Sequence, residues 1–363
     1  MSHFHSLLVS AVKRETPDAV SISFDIPESL KSKFSYLPGQ YLTLRLTVNG
    51  ESINRSYSFC SSSYANEAPT IAVKQVEGGK ASSYINQSLK VGDTVEVMEP
   101  MGNFHSPIDA QNEIHYVLFG GGSGVTPVFS ILKSVLLAEP KSKVTLFYGN
   151  RDMASIIFKS EIEALVATNA DKLKVVHILD KAEAGWSGYT GYIDQAMATK
   201  LINENIGNQF ANTKFFICGP TPMMKAVETT LDTLGVRKDQ VYIEYFTAKA
   251  DEDKVAANVG SVSEEDSTPF TGKTSVKLIF DGNEVEFEVA ESENILTAAL
   301  DAGFDPPYSC MVAACCTCRA KLVSGKVEMD DRESLTDAEI ARGYVLTCQA
   351  HPKSNGIVLN FDI

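Results

Sequence analysis

The chain of 363 residues has one tryptophan, six histidines and no apolar run approaching the roughly 20 residues that cross a bilayer. A helical membrane anchor is therefore not expected. Its opening, MSHFHSLLVSAVKRE, lacks the basic segment and apolar run of a secretory leader, so the expected location is cytoplasmic. Basic residues are also short, 32 against 46 acidic, and the net charge of −14 argues against nucleic acid or an anionic membrane as partner. A protein or small-molecule partner suits it better. The seven cysteines are an odd number gathered at one end, unlike the even, dispersed set of a disulfide framework.

That gathering is the most informative feature present. The stretch YSCMVAACCTCRAKL, 308–322, holds Cys310, Cys315 and Cys318 in C-x4-C-x2-C spacing, and Cys348 follows thirty residues later in YVLTCQAHP. Three thiolates from one loop and a fourth from a distant strand is the plant-type pattern for a [2Fe–2S] centre. Zinc is the alternative, although structural zinc sites more often show paired C-x2-C knuckles and only Cys315 and Cys318 form one here. Cys316 is surplus and reads as a small loop residue. Upstream, SVKLIF (275–280) and EVEFEV (284–289) alternate about Asp281-Gly282-Asn283 as a hairpin, and NILTAALDAG (294–303) has helical spacing ending at Gly303. Strand, strand, helix, cysteine loop and late cysteine is the order of a plant-type ferredoxin, expected over 273–363. One departure stands out: Ala313 occupies a position where ferredoxin-like loops usually carry glycine, because amides must approach the sulfides there and positive φ is needed.

Residues 247–272 are polar, acidic and without apolar periodicity, and read as a linker. Of the net −14, the linker carries −4 and 273–363 carries −7, so the acidity lies mainly at the carboxyl end. Residues 1–108 read as short β-segments with turns, for which a small antiparallel barrel is expected. Two motifs sit on it. Arg55-Ser56-Tyr57-Ser58 offers a forked donor and an aromatic face, and Gly78-Gly79-Lys80-Ala81-Ser82 places glycines ahead of a helix, where amides can meet phosphate. Over 109–246 the period changes to alternating strands and helices, which predicts a parallel sheet with helices on its faces. Its loop Gly120-Gly121-Gly122-Ser123-Gly124 ends a strand at a place suited to a phosphate-bearing nucleotide, although it is not the G-x-G-x-x-G fingerprint. A tight structural turn is the alternative.

RSYS (55–58), GGGSGVTP (120–127), YGNR (148–151), CGPTPMM (218–224) and EYF (244–246), in that order, resemble the ferredoxin–NADP⁺ reductase superfamily, here with a C-terminal ferredoxin module. The opening and closing segments resemble the reductase subunits of phenylacetyl-CoA epoxidase systems. The resemblance implies a multidomain fold: an antiparallel β-barrel binding FAD, an α/β parallel-sheet domain binding NAD(P), and an α+β ferredoxin domain of β-grasp type. It implies that Arg55 holds the flavin phosphates, Tyr57 stacks on the isoalloxazine and Ser58 lies near flavin N5. Gly79 and Ser82 would bind the pyrophosphate, and Thr126 would meet the nicotinamide and flavin edge. Gly122 belongs to the nucleotide loop. Cys218, Gly219 and Pro220 would shape the nicotinamide pocket, and Phe246, with Glu244 nearby, would close the flavin's other side. Arg151 would meet the 2′-phosphate of NADPH, with NADH the alternative because Asp152 follows it. Cys310, Cys315, Cys318 and Cys348 would ligate the cluster, whose potential near about −400 mV suits oxygen-activating metal centres. The implied partner is an oxygenase component of diiron type, since no carboxylate and E-x-x-H set occurs in this chain. A reductase for another oxygenase or a hybrid-cluster protein, or a redox sensor responding through Cys316, are the other readings.

Overall fold

The computed structural model describes residues 4–208, 210–247, 254–260, 270 and 272–363. Its first unit is built from β1 (Phe4–Thr16), β2 (Ala19–Asp25), β3 (Tyr41–Val48), β4 (Glu51–Ser58), β5 (Thr70–Lys74), α1 (Lys80–Gln87) and β6 (Thr94–Met98). The strands form one antiparallel sheet in the order β4-β3-β6-β1-β2-β5. Period-two alternation decides which side chains enter: Leu7 and Val9 are buried while Leu8 between them is exposed. The edge strands curl toward each other but meet at a single bridge, Phe59 to Ile71. The expected barrel is thus a half-barrel, open along most of that seam.

The second unit runs β7 (His115–Gly121), α2 (Val125–Ala138), β8 (Lys143–Asn150), α3 (Lys159–Thr168), β9 (Leu173–Leu179), β10 (Tyr189–Thr190), α4 (Gln195–Asn205), β11 (Thr213–Cys218), α5 (Thr221–Thr233) and β12 (Val241–Glu244). All neighbours are parallel, in the order β10-β9-β8-β7-β11-β12. Consecutive Val117, Leu118 and Phe119 are all fully buried, as a strand covered by helices on both faces requires. The strand order reverses between β7 and β11. At that switch point the carboxyl ends of the two strands leave a crevice, and the glycine loop 120–124 and the Cys218-Gly219-Pro220 turn both lie there.

The third unit contains β13 (Ala257–Gly260), β14 (Lys273–Phe280), β15 (Asn283–Ala290), α6 (Ile295–Asp301), β16 (Arg319–Ser324), β17 (Lys326–Met329), α7 (Asp337–Ala341), β18 (Tyr344–Leu346), β19 (Ala350–Pro352) and β20 (Ile357–Asn360). A mixed sheet β15-β14-β20-β16-β18 is accompanied by a small one, β13-β17-β19. The hairpin turns through Asp281 and Gly282 alone, both at positive φ, while Asn283 already pairs with Phe280. Asn294 caps α6 by accepting from the Thr297 amide, and Gly303 follows its end at φ +84°. Strand β13 falls inside the stretch read as a linker and pairs antiparallel with β17. Residues 248–253, 261–269 and 271 of that stretch lie outside the described residues. Among the described residues no helix is long and apolar enough to cross a membrane.

Candidate active site where the three units meet

Strand β4 carries the RSYS motif to the edge of the first sheet. Arg55 is exposed, with one guanidinium nitrogen donating to the Asn54 carbonyl at 2.7 Å. Tyr57 is half-buried, and burial pushes its phenol up to about 12, so it is a neutral ring. Buried Ser58 donates to the Glu244 carboxylate at 3.2 Å, joining β4 to the end of β12 across 186 residues. Burial pushes the Glu244 carboxyl up to about 8, and the Ser58 hydroxyl pulls it back only in part. A cavity of about 90 Å³ is lined by Arg55, Ser58, Glu244, Phe246, Cys310 and Cys315. Its size admits the edge of a flat ring rather than a whole ligand, since whole-ligand pockets run to several hundred Å³. Phe246 stands over it with 43% of its surface exposed, an open aromatic face beside an exposed guanidinium.

The loop before α1 differs from what its glycines suggest. The Ser82 hydroxyl is engaged internally, accepting from the Val76 amide at 3.0 Å and donating to the Gly79 carbonyl at 3.4 Å. A Cβ on Gly79 would lie 2.6 Å from that hydroxyl. Gly79 and Ser82 therefore shape the turn, and the donors available to an anion are the first-turn amides of α1.

At the switch point lies a cavity of about 640 Å³, within the range of ligand sites. Gly122, Arg151, Pro220, Met223 and Lys74 are among its walls. Gly122 is at φ +53°, and a Cβ there would meet nothing closer than Lys74, so backbone conformation rather than space calls for glycine. Gly121, Gly124 and Gly219 are the close-approach residues: a Cβ on Gly121 would lie 2.5 Å from Pro220, and one on Gly219 2.9 Å from the Gly121 backbone. Thr126 and Cys218 line neither cavity. Thr126 is buried with its hydroxyl donating to the Ser123 carbonyl at 3.0 Å, and Cys218 is fully buried with its thiol pushed well up. Arg151 is 56% exposed and already pairs with Asp152 at 2.9 Å. Asn150, 8% exposed, also faces this cavity; its amide interacts with the Tyr148 hydroxyl but makes no close, well-aligned hydrogen bond. A buried amide left so is costly unless a ligand completes it.

The cysteine loop lies between α6 and β16, with Cys348 just beyond β18. Its thiols associate two and two, Cys310 with Cys315 and Cys318 with Cys348, and within each pair a shared proton lowers one thiol and raises the other. The Val312 amide points at the Cys310 sulfur at 3.4 Å and the Gln349 amide nitrogen at the Cys348 sulfur at 3.6 Å. Among the described residues no three His, Cys, Asp or Glu side chains are placed to hold one metal ion. Two thiol pairs with amide donors suit two irons, each taking one pair, better than a single zinc. Ala313, fully buried, adopts φ +57° and turns its amide toward Cys348. The left-handed backbone costs about 1–2 kcal/mol, and burying the methyl returns about 0.8 kcal/mol, so alanine in place of glycine carries a net cost of up to about 1 kcal/mol. Cys316 is buried, hydrogen-bonded to Tyr41, and its thiol is pushed up to about 11, the opposite of an oxidation-sensing cysteine.

Three family models match in the same order as the three units. They are an oxidoreductase FAD-binding domain over 6–106, an oxidoreductase NAD-binding domain over 118–229 and a 2Fe-2S iron-sulfur cluster binding domain over 278–353. One subunit of the 1,2-phenylacetyl-CoA epoxidase of Escherichia coli is 36% identical, with 100% of this chain and 99% of that protein covered. The chain belongs to the ferredoxin–NADP⁺ reductase-like family with a C-terminal [2Fe–2S] domain. This reductase is 35% identical to the ferredoxin reductase component of the 3-ketosteroid-9-alpha-monooxygenase of Rhodococcus rhodochrous, covering 98% of the chain and 96% of the relative. It shares its fold with phthalate dioxygenase reductase at TM-score 0.55 and 24% identity, over 99% of this chain and 98% of that one. The reductase is thus an oxidoreductase with FAD-binding, NAD-binding and [2Fe–2S] domains, and its full-length relatives are components of oxygenase systems. Asn150 is signalled in the sequence only by its place in YGNR, beside Arg151.

Proposed function

We propose that this reductase draws electrons from NADPH and passes them to the diiron oxygenase component of a phenylacetyl-CoA epoxidase. The observation that carries the reading is the cavity in which Arg55, Ser58, Glu244 and Phe246 face Cys310 and Cys315. When bound, FAD supplies the exchange between the paired electrons of NADPH and the single electrons a [2Fe–2S] centre takes. Arg55 and the α1 amides hold its phosphates, Tyr57 and Phe246 offer ring faces, and Ser58 with Glu244 keeps a proton at the ring edge. Cys310, Cys315, Cys318 and Cys348 hold the cluster. The full-length match to the Escherichia coli protein supports the choice of partner, and the 35% match to the Rhodococcus component favours a second reading in which another oxygenase is served. Adding the purified reductase to either oxygenase with NADPH and its substrate decides between them: coupled turnover with phenylacetyl-CoA is expected, and turnover with the ketosteroid oxygenase alone would overturn the choice.

Two further outcomes are expected. Arg151→Ala should raise the KM for NADPH about tenfold and leave that for NADH little changed, the scale of one charge-assisted hydrogen bond. Equal effects on both dinucleotides would mean that Arg151 does not read a 2′-phosphate. The second concerns pH. Glu244 is held above its ordinary 4.5, so between that value and about 8 it binds more proton folded than unfolded. Stability then falls as pH rises through this window. Melting temperatures should follow that slope, and Glu244→Gln, which cannot ionise, should flatten it; an unaltered slope would show that the carboxyl is ionised throughout.

A further inference from the structure

Tyr41 opens β3 in the flavin-binding sheet, yet its side chain belongs to the apolar core of the third unit, 5% exposed among Ala313, Cys315, Cys316 and Cys318. Its hydroxyl oxygen accepts from the Cys316 amide at 3.1 Å and lies 3.3 Å from both the Cys316 sulfur and the Thr317 hydroxyl. Thr317, also buried, sits 3.2 Å from the Thr43 hydroxyl and 3.4 Å from the Cys315 sulfur. The same pair of strands grips the other end of the loop, Ser56 donating to the Ser309 hydroxyl at 2.9 Å and Asn54 to the Tyr308 carbonyl at 3.1 Å.

A threonine hydroxyl has one proton and two acceptor sites. With the cysteine as a thiolate ligand, the Cys315 sulfur can only accept. The Ser56 hydroxyl, whose proton goes to Ser309, also lies 3.0 Å from the Thr43 hydroxyl, so Thr43 gives its one proton either there or to Thr317. With Tyr41 donating to the Thr317 oxygen, the Thr317 proton is available to the Cys315 sulfur at 3.4 Å. We propose that Tyr41 is a positioning residue that docks the cluster loop on the flavin-binding sheet and, through Thr317, directs a hydrogen bond to the Cys315 sulfur. Such bonds raise the potential of an iron–sulfur centre, and buried chains of them reinforce one another. One tyrosine thereby sets both the separation between the two redox sites and the readiness of the second to be reduced. The inference rests on Cys315 being a cluster ligand.

The test uses the holoenzyme, with anaerobic NADPH in a stopped-flow spectrometer, an electrochemical titration and iron analysis of each sample. Tyr41→Phe should slow cluster reduction relative to flavin reduction in the same trace by about tenfold, as small misplacements of reacting groups do. It should also move the cluster potential to more negative values. Thr317→Val should reproduce the shift in potential, and Thr317→Ser, which restores the hydroxyl, should not. Tyr41→Phe with full iron, an unchanged rate ratio and an unchanged potential would overturn the proposal. If that variant does not fold, Thr317→Val at the wild-type potential overturns it instead. Wild-type enzyme without two irons per chain would remove the ligand assignment itself, a failure distinct from either.

Discussion

Cys348→Ser is expected to separate the two halves of the electron path. NADPH should still bleach the flavin absorption, because Arg55, Ser58, Glu244 and the 640 Å³ cavity belong to the first two units. Reduction of cytochrome c or of an oxygenase should fall on the order of 100-fold or more, since loss of even an outer partner at a metal site costs 10–100-fold and this residue is placed as an inner one. The reason lies in the pairing. Cys348 stands beside Cys318, receives the Gln349 side chain and is approached by the Ala313 amide. Removing its sulfur takes away one of the four thiolates that would hold the cluster and puts a harder, weaker oxygen donor in its place. Two irons and inorganic sulfide in the wild type, with both lost in the variant, is the expected analysis. A variant that keeps its cluster and its cytochrome c rate would refute the ligand assignment.

The cysteine spacing, the βα alternation and the Asp281-Gly282 turn were legible because each depends on neighbours in the chain: ligand reach, side-chain period and local φ. The residues that were not legible depend on what another unit brings. Tyr41 begins an alternating strand and resembles any aromatic at a core position; only the loop 275 residues away gives its hydroxyl a task. Ser82 has the look of a phosphate ligand, but the Val76 amide holds its oxygen. β13 lies in an acidic stretch without periodicity because a four-residue edge strand is too short to show one, and pairing with β17 supplies its order. Thr126 and Cys218 lie in motifs that point to the nicotinamide, yet their side chains are turned into the core. Whatever they contribute to that site passes through the backbone they fix. Ala313 was the reverse case: its departure from glycine was visible in the sequence, and the structure supplies the positive φ that such a glycine accommodates.

The glycine loop carries the second large effect. Gly124 has an ordinary right-handed φ of −63°, so alanine meets no backbone strain there. Space alone forbids it: a Cβ would lie 2.2 Å from the Cys218 carbonyl oxygen and 2.4 Å from its carbon. Those atoms are backbone at the buried end of β11 and cannot swing aside as a side chain would. Either α2 moves away from β11 or the two strands spread, and both widen the crevice proposed for the dinucleotide. Gly124→Ala should therefore cost about 3 kcal/mol, the upper end of ordinary overpacking, and weaken NADPH binding with it. Gly185→Ala provides the contrast, since no heavy atom lies within 4 Å of its Cβ position and its positive φ adds only a local penalty. Melting curves and NADPH titrations of the two variants separate the causes: loss of both properties in Gly124→Ala, and in Gly185→Ala a loss of stability of about 1–2 kcal/mol with NADPH binding kept, is expected. Equal behaviour would mean that the contact between the glycine loop and the Cys218 turn is looser than the structure describes.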